Sequence, residues 1–267
     1  MLRLGHITYS NCFPVHARFI DEGPPEGVTL IEGVPSQLNR LLAERAIDVA
    51  PCSSIEYARH ADRYRLMPQL VIGSAGPIQS ILLVGRAPLD LDRRRVGVPT
   101  ASATSVVLLK ILCRVRWHVE PVFFWFDQGR EDPFAVGADA ALFIGDIALQ
   151  EDLFVMARFR IDLAAEWFAE TRLPFAFALW QVSGGDEPQL VRLLDALVDS
   201  REYWRIRSGW LADRYAARFG QTPEQLRDYW RGLQFDLSAG MIEGIEAFYR
   251  LATDIGELPK PPRLVWV

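Results

Sequence analysis

Residues 96–112 read VGVPTASATSVVLLKIL. An apolar segment ends at Pro99, six small or hydroxylated residues follow, and an apolar segment begins, which predicts a strand, a tight turn and a helix start. The first amides of a helix lack internal hydrogen-bond partners and carry the positive end of its dipole, so such a turn can bind a carboxylate or phosphate. Ser102, Thr104 and Ser105 add hydroxyl groups there; alternatively, they only cap the helix.

A second turn of the same kind follows a strand predicted at residues 47–51. Ser53 and Ser54 supply its hydroxyl groups, and Glu56 stands three residues after Ser53, which is the spacing of a capping box. Two such turns facing one cleft suit a small ligand with two anionic groups. Closure of the cleft over that ligand would exclude water and strengthen each hydrogen bond.

Apolar strand patterns alternate with helical patterns along most of the chain, which predicts an α/β fold of βαβ units with a mainly parallel sheet. The predicted strands cover residues 2–7, 28–31, 47–51, 65–72, 78–84, 96–98, 121–126, 138–144 and 175–181. Linker sequences at residues 85–88 and 182–188 bracket one α/β block, so we expect one lobe to be inserted into another. The predicted divisions are a first lobe over 1–86, an inserted lobe over 87–180 and a mainly helical return to the first lobe over 181–267.

Two isolated polar residues stand where a cleft would form. Asn11 follows the first predicted strand, at the position where open α/β sheets place ligand contacts, although it could equally cap the next helix. Ser80 lies inside the predicted strand at 78–84. A small polar residue in such a strand either faces a cleft or hydrogen-bonds to the backbone.

The composition excludes several classes of protein. Of the 267 residues 50% are hydrophobic, and the net charge is -5, so the chain lacks the basic character that nucleic acid binding requires. Cys12, Cys52 and Cys113 are odd in number and widely spaced, which predicts reduced thiols rather than a disulfide framework or metal site. Residues 1–7 carry no secretion signal and no run of about 18 apolar residues occurs, so we expect a cytoplasmic protein without a membrane span.

Motifs for cofactor enzymes are missing from the sequence. The chain contains no GxGxxG, Walker A or GxSxG pattern, and we therefore expect neither a cofactor nor a metal. The four histidines lie on or beside regular elements, where structural or surface roles are favoured over catalysis. They are His6, His16, His60 and His118.

Five ordered motifs resemble the chorismate dehydratase family. They are GHITYSNCFP at residues 5–14, IDVAPCSSIEYA at 47–58, SATS at 102–105, LFIGD at 142–146 and LPFAFALW at 173–180. The resemblance implies the two-lobed fold of type 2 periplasmic binding proteins, with a cleft between the lobes. It also implies that chorismate is dehydrated to 3-(1-carboxyvinyloxy)benzoate, in the futalosine route to menaquinone.

The implied reaction agrees with two anion-binding turns, because chorismate carries two carboxylates. The proton that is lost lies vinylogous to the ring carboxylate, so hydrogen bonds to that carboxylate would stabilise the developing charge. The enolpyruvyl carboxylate of the substrate could itself accept the proton, and then no strong protein base is required.

The resemblance also implies the site residues. Asn11 and Ser80 would be catalytic, with Asn11 orienting the substrate or assisting the departing hydroxyl. The substrate-binding residues would be Ser53, Ser54, Ser102, Thr104, Ser105, Gly145 and Asp146. For Asp146 the alternatives are capping of the following helix, which we place slightly ahead, and lining of the cleft.

Two other functions share this fold. A sister enzyme, 1,4-dihydroxy-6-naphthoate synthase, is expected to present a histidine base at the strand end of the second lobe, where this chain has IGD at residues 144–146. A small-anion binding module is the other alternative. Exported binding proteins, however, need a signal peptide that residues 1–7 do not supply.

Overall fold

The computed structural model describes residues 1–86, 90–150 and 155–267. The strands are β1 (Leu2–Ile7), β2 (Val28–Gly33), β3 (Val49–Ser53), β4 (Arg65–Ser74), β5 (Ile81–Gly85), β6 (Arg95–Pro99), β7 (Val122–Phe126), β8 (Ala140–Ile144), β9 (Phe159–Asp162), β10 (Phe175–Val182) and β11 (Gln234–Asp236). The helices are α1 (Phe13–Asp21), α2 (Pro35–Ala43), α3 (Ser54–Arg59), α4 (Ala103–Ile111), α5 (Leu163–Thr171), α6 (Glu187–Tyr215), α7 (Pro223–Gly232) and α8 (Ala239–Asp254). Ala87 and Pro88 of the predicted linker lie outside the described residues.

The strands in the described part of the chain form two sheets. The first has six strands in the order β11-β4-β10-β3-β1-β2, and the second has five in the order β7-β6-β8-β5-β9. β1 is parallel to β2 and β3, and β6 is parallel to β7 and β8. The other neighbouring pairs are antiparallel. Both sheets are therefore mixed, and the prediction of a mainly parallel sheet is wrong.

Four of the five antiparallel pairs that the structure describes involve the strands that carry the chain between the sheets. β5 begins the second sheet directly after β4 of the first, and β10 brings the chain back. Both crossing strands enter at the edge where the parallel strands end, so their first residues lie beside the polar turns.

The sheets change at other residues than the predicted lobe boundaries. β5 falls within the predicted first lobe, 1–86, but it belongs to the five-stranded sheet. β10 falls almost entirely within the predicted inserted lobe, 87–180, but it belongs to the six-stranded sheet. The predicted boundaries lie at polar linkers, which follow β5 and β10 in the sequence. The chain, however, passes from one sheet to the other before each of these strands begins.

The C-terminal helices cover the first sheet. Their apolar faces are buried at Leu190, Leu193, Leu194, Leu197, Met241, Ile245, Phe248, Tyr249 and Ala252. α6 packs against α1, and α8 packs against β10. α7 reaches the loop that follows β1, where the Trp230 indole Nε1 donates to the Ser10 carbonyl at 2.9 Å. In the described part of the chain no helix has the length and apolar character that a bilayer crossing requires.

The two serine turns start their helices in different ways. The Ser102 hydroxyl caps α4 and accepts from the Ser105 amide at 3.3 Å. Ser53 precedes α3, but its side chain makes no capping bond, so the predicted Ser53 and Glu56 capping box is wrong. Asn39 supplies an alternative partner, because its Oδ1 accepts from the Ser53 amide at 3.3 Å.

Candidate active site

A narrow cavity of about 40 Å³ lies where the polar turns of the two sheets meet. Its walls are Ile7, Tyr9, Asn11, Pro35, Ser53, Ile72, Ser80, Ile81, Ser102, Ser105, Ile144, Gly145, Phe177 and Ala178. Pockets that hold drug-sized ligands have volumes of about 300–1,000 Å³, so this cavity must widen to admit a ring-bearing ligand. The two lobes make direct hydrogen bonds to each other around it.

Six of the nine predicted site residues lie on this wall. They are Asn11, Ser53, Ser80, Ser102, Ser105 and Gly145. None of the wall residues carries a charged side chain, so the cavity can hold an anion only through neutral hydrogen-bond donors, which are hydroxyl and amide groups.

Ser80 contacts a tyrosine that the sequence did not single out. The Tyr229 hydroxyl donates to the Ser80 Oγ at 2.8 Å. Asn11 Oδ1 is buried and has no partner in the described residues. Ser80 precedes β5 rather than lying within it, and Gly145 donates its amide to the Ser80 carbonyl at 2.9 Å. The cleft-facing alternative predicted for Ser80 therefore agrees with its position.

Gly145 allows the second sheet to approach the loop after β1. Its φ is +63°, and a Cβ placed there would lie 2.8 Å from the Tyr9 ring. Only glycine adopts this backbone conformation without a steric cost. Gln128, which the sequence did not indicate, supports the same corner by bonding through its side-chain amide to the amide and carbonyl of Ile144 at 3.0 and 3.1 Å.

Ser54 and Thr104 do not face the cavity but contact each other across the lobes. Thr104 Oγ1 accepts from the Ile55 amide at 3.2 Å and lies 3.4 Å from the Ser54 Oγ. Ser54 Oγ donates to the Ala176 carbonyl at 2.7 Å. The first amides of α3 are thus occupied by an oxygen of the second lobe, which makes this contact a part of the closed interface.

Asp146 also joins the two lobes and does not lie on the cavity wall. Its carboxylate accepts from the Ser10 amide at 3.1 Å and from the Ser10 hydroxyl. The capping prediction for Asp146 is wrong, because the carboxylate is drawn to Ser10 in the loop that carries Asn11. Burial raises the pKa of Asp146 to about 6, while the Ser10 hydrogen bonds oppose the shift.

We expect Asp146→Asn to change the pH dependence of stability. Because burial raises the pKa from its usual value of about 4 to about 6, the folded protein holds this proton more tightly than the unfolded chain. The contribution of Asp146 to the free energy of unfolding therefore falls as pH rises from about 4 to about 6. In urea unfolding at several pH values, the free energy of unfolding of Asp146→Asn should rise relative to that of the wild type over that range. At higher pH the difference between the two free energies should stay constant. A pH-independent difference would contradict the burial argument.

A second polar cluster lies inside the first lobe. His6, Cys12 and His16 place their ligand atoms within 4.8 Å of one another. The Trp180 indole donates to His16 Nε2 at 3.3 Å, so His16 donates through Nδ1 to His6 Nδ1 at 2.9 Å. Burial lowers the pKa of His6 to about 4 and raises that of Cys12 to about 12. The two neutral histidines bond to each other in the core, as the structural role expected for them requires.

The two mixed sheets, joined by crossing strands around a cleft, define a two-lobed protein with the fold of periplasmic binding proteins. Protein AF1704 from Archaeoglobus fulgidus shares the fold with a TM-score of 0.79 and 17% identity, over 96% of this chain and 98% of that one. The alkanesulfonate-binding protein SsuA from Xanthomonas axonopodis shares it with a TM-score of 0.67 and 18% identity, over 98% and 95% of the two chains.

Sequence comparison narrows the class to one family. The chain belongs to the menaquinone biosynthesis family, which matches residues 2–254. It is 30% identical to chorismate dehydratase from Thermus thermophilus over 92% of this chain and 93% of that protein. It is 32% identical to chorismate dehydratase from Campylobacter jejuni over 65% and 64% of the two chains. The resemblance indicated by the five motifs is thereby confirmed.

Proposed function

We propose that this protein is a chorismate dehydratase that forms 3-(1-carboxyvinyloxy)benzoate. The observation that carries the proposal is the narrow cavity between the lobes, where Asn11 and Ser80 stand beside serine hydroxyls and no charged side chain of the described residues lines the wall. A dicarboxylate with one reacting hydroxyl suits such a wall, because neutral donors can bind its charges and an amide can orient its hydroxyl. The relatives named above support the same activity.

The reaction breaks two bonds of the substrate and forms an aromatic ring. The ring carbon that bears the enolpyruvyl ether loses its proton to the enolpyruvyl carboxylate, and the electron pair of that bond moves into the ring. The neighbouring carbon then releases its hydroxyl with the carbon-oxygen electron pair, and that oxygen takes up the proton to leave as water. Asn11 and Ser80 hold the departing hydroxyl, while Ser53, Ser102 and Ser105 bind the carboxylates.

The cavity supports a mechanism in which the substrate supplies the base. Among the residues that the structure describes, its wall contains no histidine, aspartate or glutamate. Asp146 is engaged by Ser10, and His6 and His16 are bonded to each other within the first lobe. The contribution of the protein is then to fix the reacting conformer, to exclude water and to stabilise charge on the ring carboxylate.

Closure of the lobes is part of this proposal, because the cavity is too small for free entry. The contacts between Asp146 and Ser10 and between Thr104 and Ile55 would break on opening and form again around the substrate. The predicted binding residues Asp146, Thr104 and Ser54 would then act on affinity through closure.

We expect Thr104→Val to weaken substrate binding more than it slows the reaction. The substitution keeps the side-chain shape but leaves the buried Ile55 amide without its acceptor in the closed state, at a cost of about 1–3 kcal/mol. The KM for chorismate should rise about 5- to 100-fold with a smaller change in kcat. Thr104→Ser keeps the hydroxyl and is the matched control. A KM for Thr104→Val equal to that of the wild type would show that this contact does not contribute to closure.

The activity is tested by incubating the purified protein with chorismate in the presence of a metal chelator. We expect chorismate to lose one water, as seen by mass spectrometry, and the aromatic protons of 3-(1-carboxyvinyloxy)benzoate to appear by NMR. Tight binding with unchanged chorismate would favour the small-anion binding module. Turnover of cyclic futalosine instead would favour the naphthoate synthase.

We further propose that the product enters the futalosine route to menaquinone and that the reaction takes place in the cytoplasm. The family description supports a role in menaquinone formation. Cys12, Cys52 and Cys113 are buried free thiols, which suits a reducing compartment. Disruption of the gene should abolish menaquinone formation, and feeding 3-(1-carboxyvinyloxy)benzoate should restore it. Failure of that rescue would contradict the route.

A further inference from the structure

Tyr229 belongs to the C-terminal helical region but reaches the proposed catalytic wall. It lies on α7, its side chain is only 6% exposed, and its hydroxyl donates to the Ser80 Oγ at 2.8 Å across 149 positions of sequence. One buried hydroxyl therefore touches Ser80, one of the two residues to which we assign the reacting end of the substrate.

The number of protons that each of these groups can donate decides which of them is a donor and which an acceptor. A tyrosine hydroxyl has one proton, and Tyr229 gives it to Ser80. Asn11 Oδ1, on the same wall, is a buried acceptor with no partner in the described residues. Ser80 accepts from Tyr229, so its own proton remains available as a donor. The wall thus presents one acceptor and one donor side by side.

We propose that Tyr229 is a positioning residue that fixes Ser80 as a hydrogen-bond donor to the substrate. This inference rests on the proposed function. The substrate hydroxyl would donate its proton to Asn11 Oδ1 and accept the hydrogen bond of Ser80. As the carbon-oxygen bond breaks, negative charge develops on that oxygen and the Ser80 hydrogen bond strengthens. Tyr229 does not touch the reacting atoms, and its effect passes through Ser80, which does.

The rest of α7 is held by contacts that do not need the Tyr229 hydroxyl. Thr222 and Gln225 form a capping box at its start. Trp230 stacks on Phe13 with ring centroids 5.4 Å apart and donates to the Ser10 carbonyl. Tyr229→Phe should therefore keep the helix in place and remove only the hydroxyl.

The first test compares Tyr229→Phe with the wild type in steady-state turnover of chorismate. We expect kcat to fall about 10- to 100-fold and KM to change by less than about threefold, because the lost orientation matters most in the transition state. Tyr57→Phe is the matched control. Its buried hydroxyl also makes two hydrogen bonds, to the Arg263 carbonyl at 2.7 Å and from the Val265 amide at 2.8 Å, but these join the C-terminal segment. We expect that control to lose a similar amount of thermal stability with unchanged kcat.

The second test is a double-mutant cycle with Ser80→Ala. If Tyr229 acts through Ser80, the loss of kcat in the double variant must be smaller than the product of the two single losses. Multiplicative losses, or a kcat for Tyr229→Phe equal to that of Tyr57→Phe, would overturn the inference. An active wild type with an unaffected Tyr229→Phe would refute this inference alone. An inactive wild type would refute the proposed function as well.

Discussion

Replacing Asn11 with alanine should lower kcat for chorismate about 100- to 1,000-fold and change KM by less than about threefold. The expected loss is large because Asn11 Oδ1 is a buried acceptor on the cavity wall without a partner in the described residues. In the proposed mechanism the substrate hydroxyl supplies the hydrogen bond that this group lacks. Its removal leaves the departing hydroxyl without an orienting partner, while the serines that bind the carboxylates remain.

The control for this prediction is the affinity of the variant for the product. Asn11→Ala should bind 3-(1-carboxyvinyloxy)benzoate with a Kd within about threefold of the wild type, because Ser53, Ser102 and Ser105 still supply their donors. A loss of kcat together with a loss of product binding would indicate a damaged cleft. An unchanged kcat would remove Asn11 from the mechanism.

Replacing Gly244 with alanine should lower the free energy of unfolding by about 3–5 kcal/mol and the melting temperature by about 10 °C. Gly244 lies in α8, and a Cβ there would stand 2.1 Å from the Pro174 carbonyl oxygen. That backbone atom cannot move freely, since it precedes β10 and also accepts from the Trp167 indole at 3.3 Å. The helix must therefore separate from β10 and expose part of the core.

Gly240→Ala is the matched control, because it lies in the same helix and faces the same proline. A Cβ at Gly240 would be 3.9 Å from the Pro174 ring, which is an ordinary van der Waals distance. Alanine favours helix over glycine by about 1 kcal/mol, so this variant should be as stable as the wild type or more stable. Thermal unfolding of both variants measures the difference. Equal melting temperatures would show that α8 is not packed as closely on β10 as the structure has it.

Many strands and helices could be predicted because their starts and ends depend on residues that are close together in the sequence. The stretch at residues 96–112 gave β6 and α4, with Ser102 as the cap of the helix. Thr222 and Gln225 form a capping box at the start of α7. Each of these features is fixed by the backbone needs of one strand end or one helix start, and those needs are visible within a few residues.

The sequence did not show what depends on contacts between distant segments. β9 and β11 have four and three residues and exist because they pair with the edges of existing sheets. The antiparallel direction of β5 and β10 follows from the crossings between lobes, which no local pattern marks. Asp146 looked like a helix cap because an acidic residue after a strand commonly caps; the carboxylate instead meets Ser10 of the other lobe.

Only the part of the proposed site that is marked by local sequence could be predicted. Asn11, Ser53 and Ser102 follow strands directly, where a ligand meets the sheet edges, and the cavity wall includes all three. Tyr229 follows Ser80 by 149 positions and stands in the middle of a helix, where a tyrosine normally indicates packing. Only the fold brings its hydroxyl to Ser80. The buried contact between Thr104 and Ile55 was likewise hidden, because a hydroxyl near a helix start suggests only its own helix.

The most direct test of the account is a crystal structure with 3-(1-carboxyvinyloxy)benzoate bound. We predict the product between the two sheets, its two carboxylates accepting hydrogen bonds from Ser53, Ser102 and Ser105. Asn11 and Ser80 should stand beside the ring carbon that lost the hydroxyl. A product molecule bound outside this cleft, or a metal ion holding its carboxylates, would contradict the claim that uncharged donors of the two lobes bind the substrate.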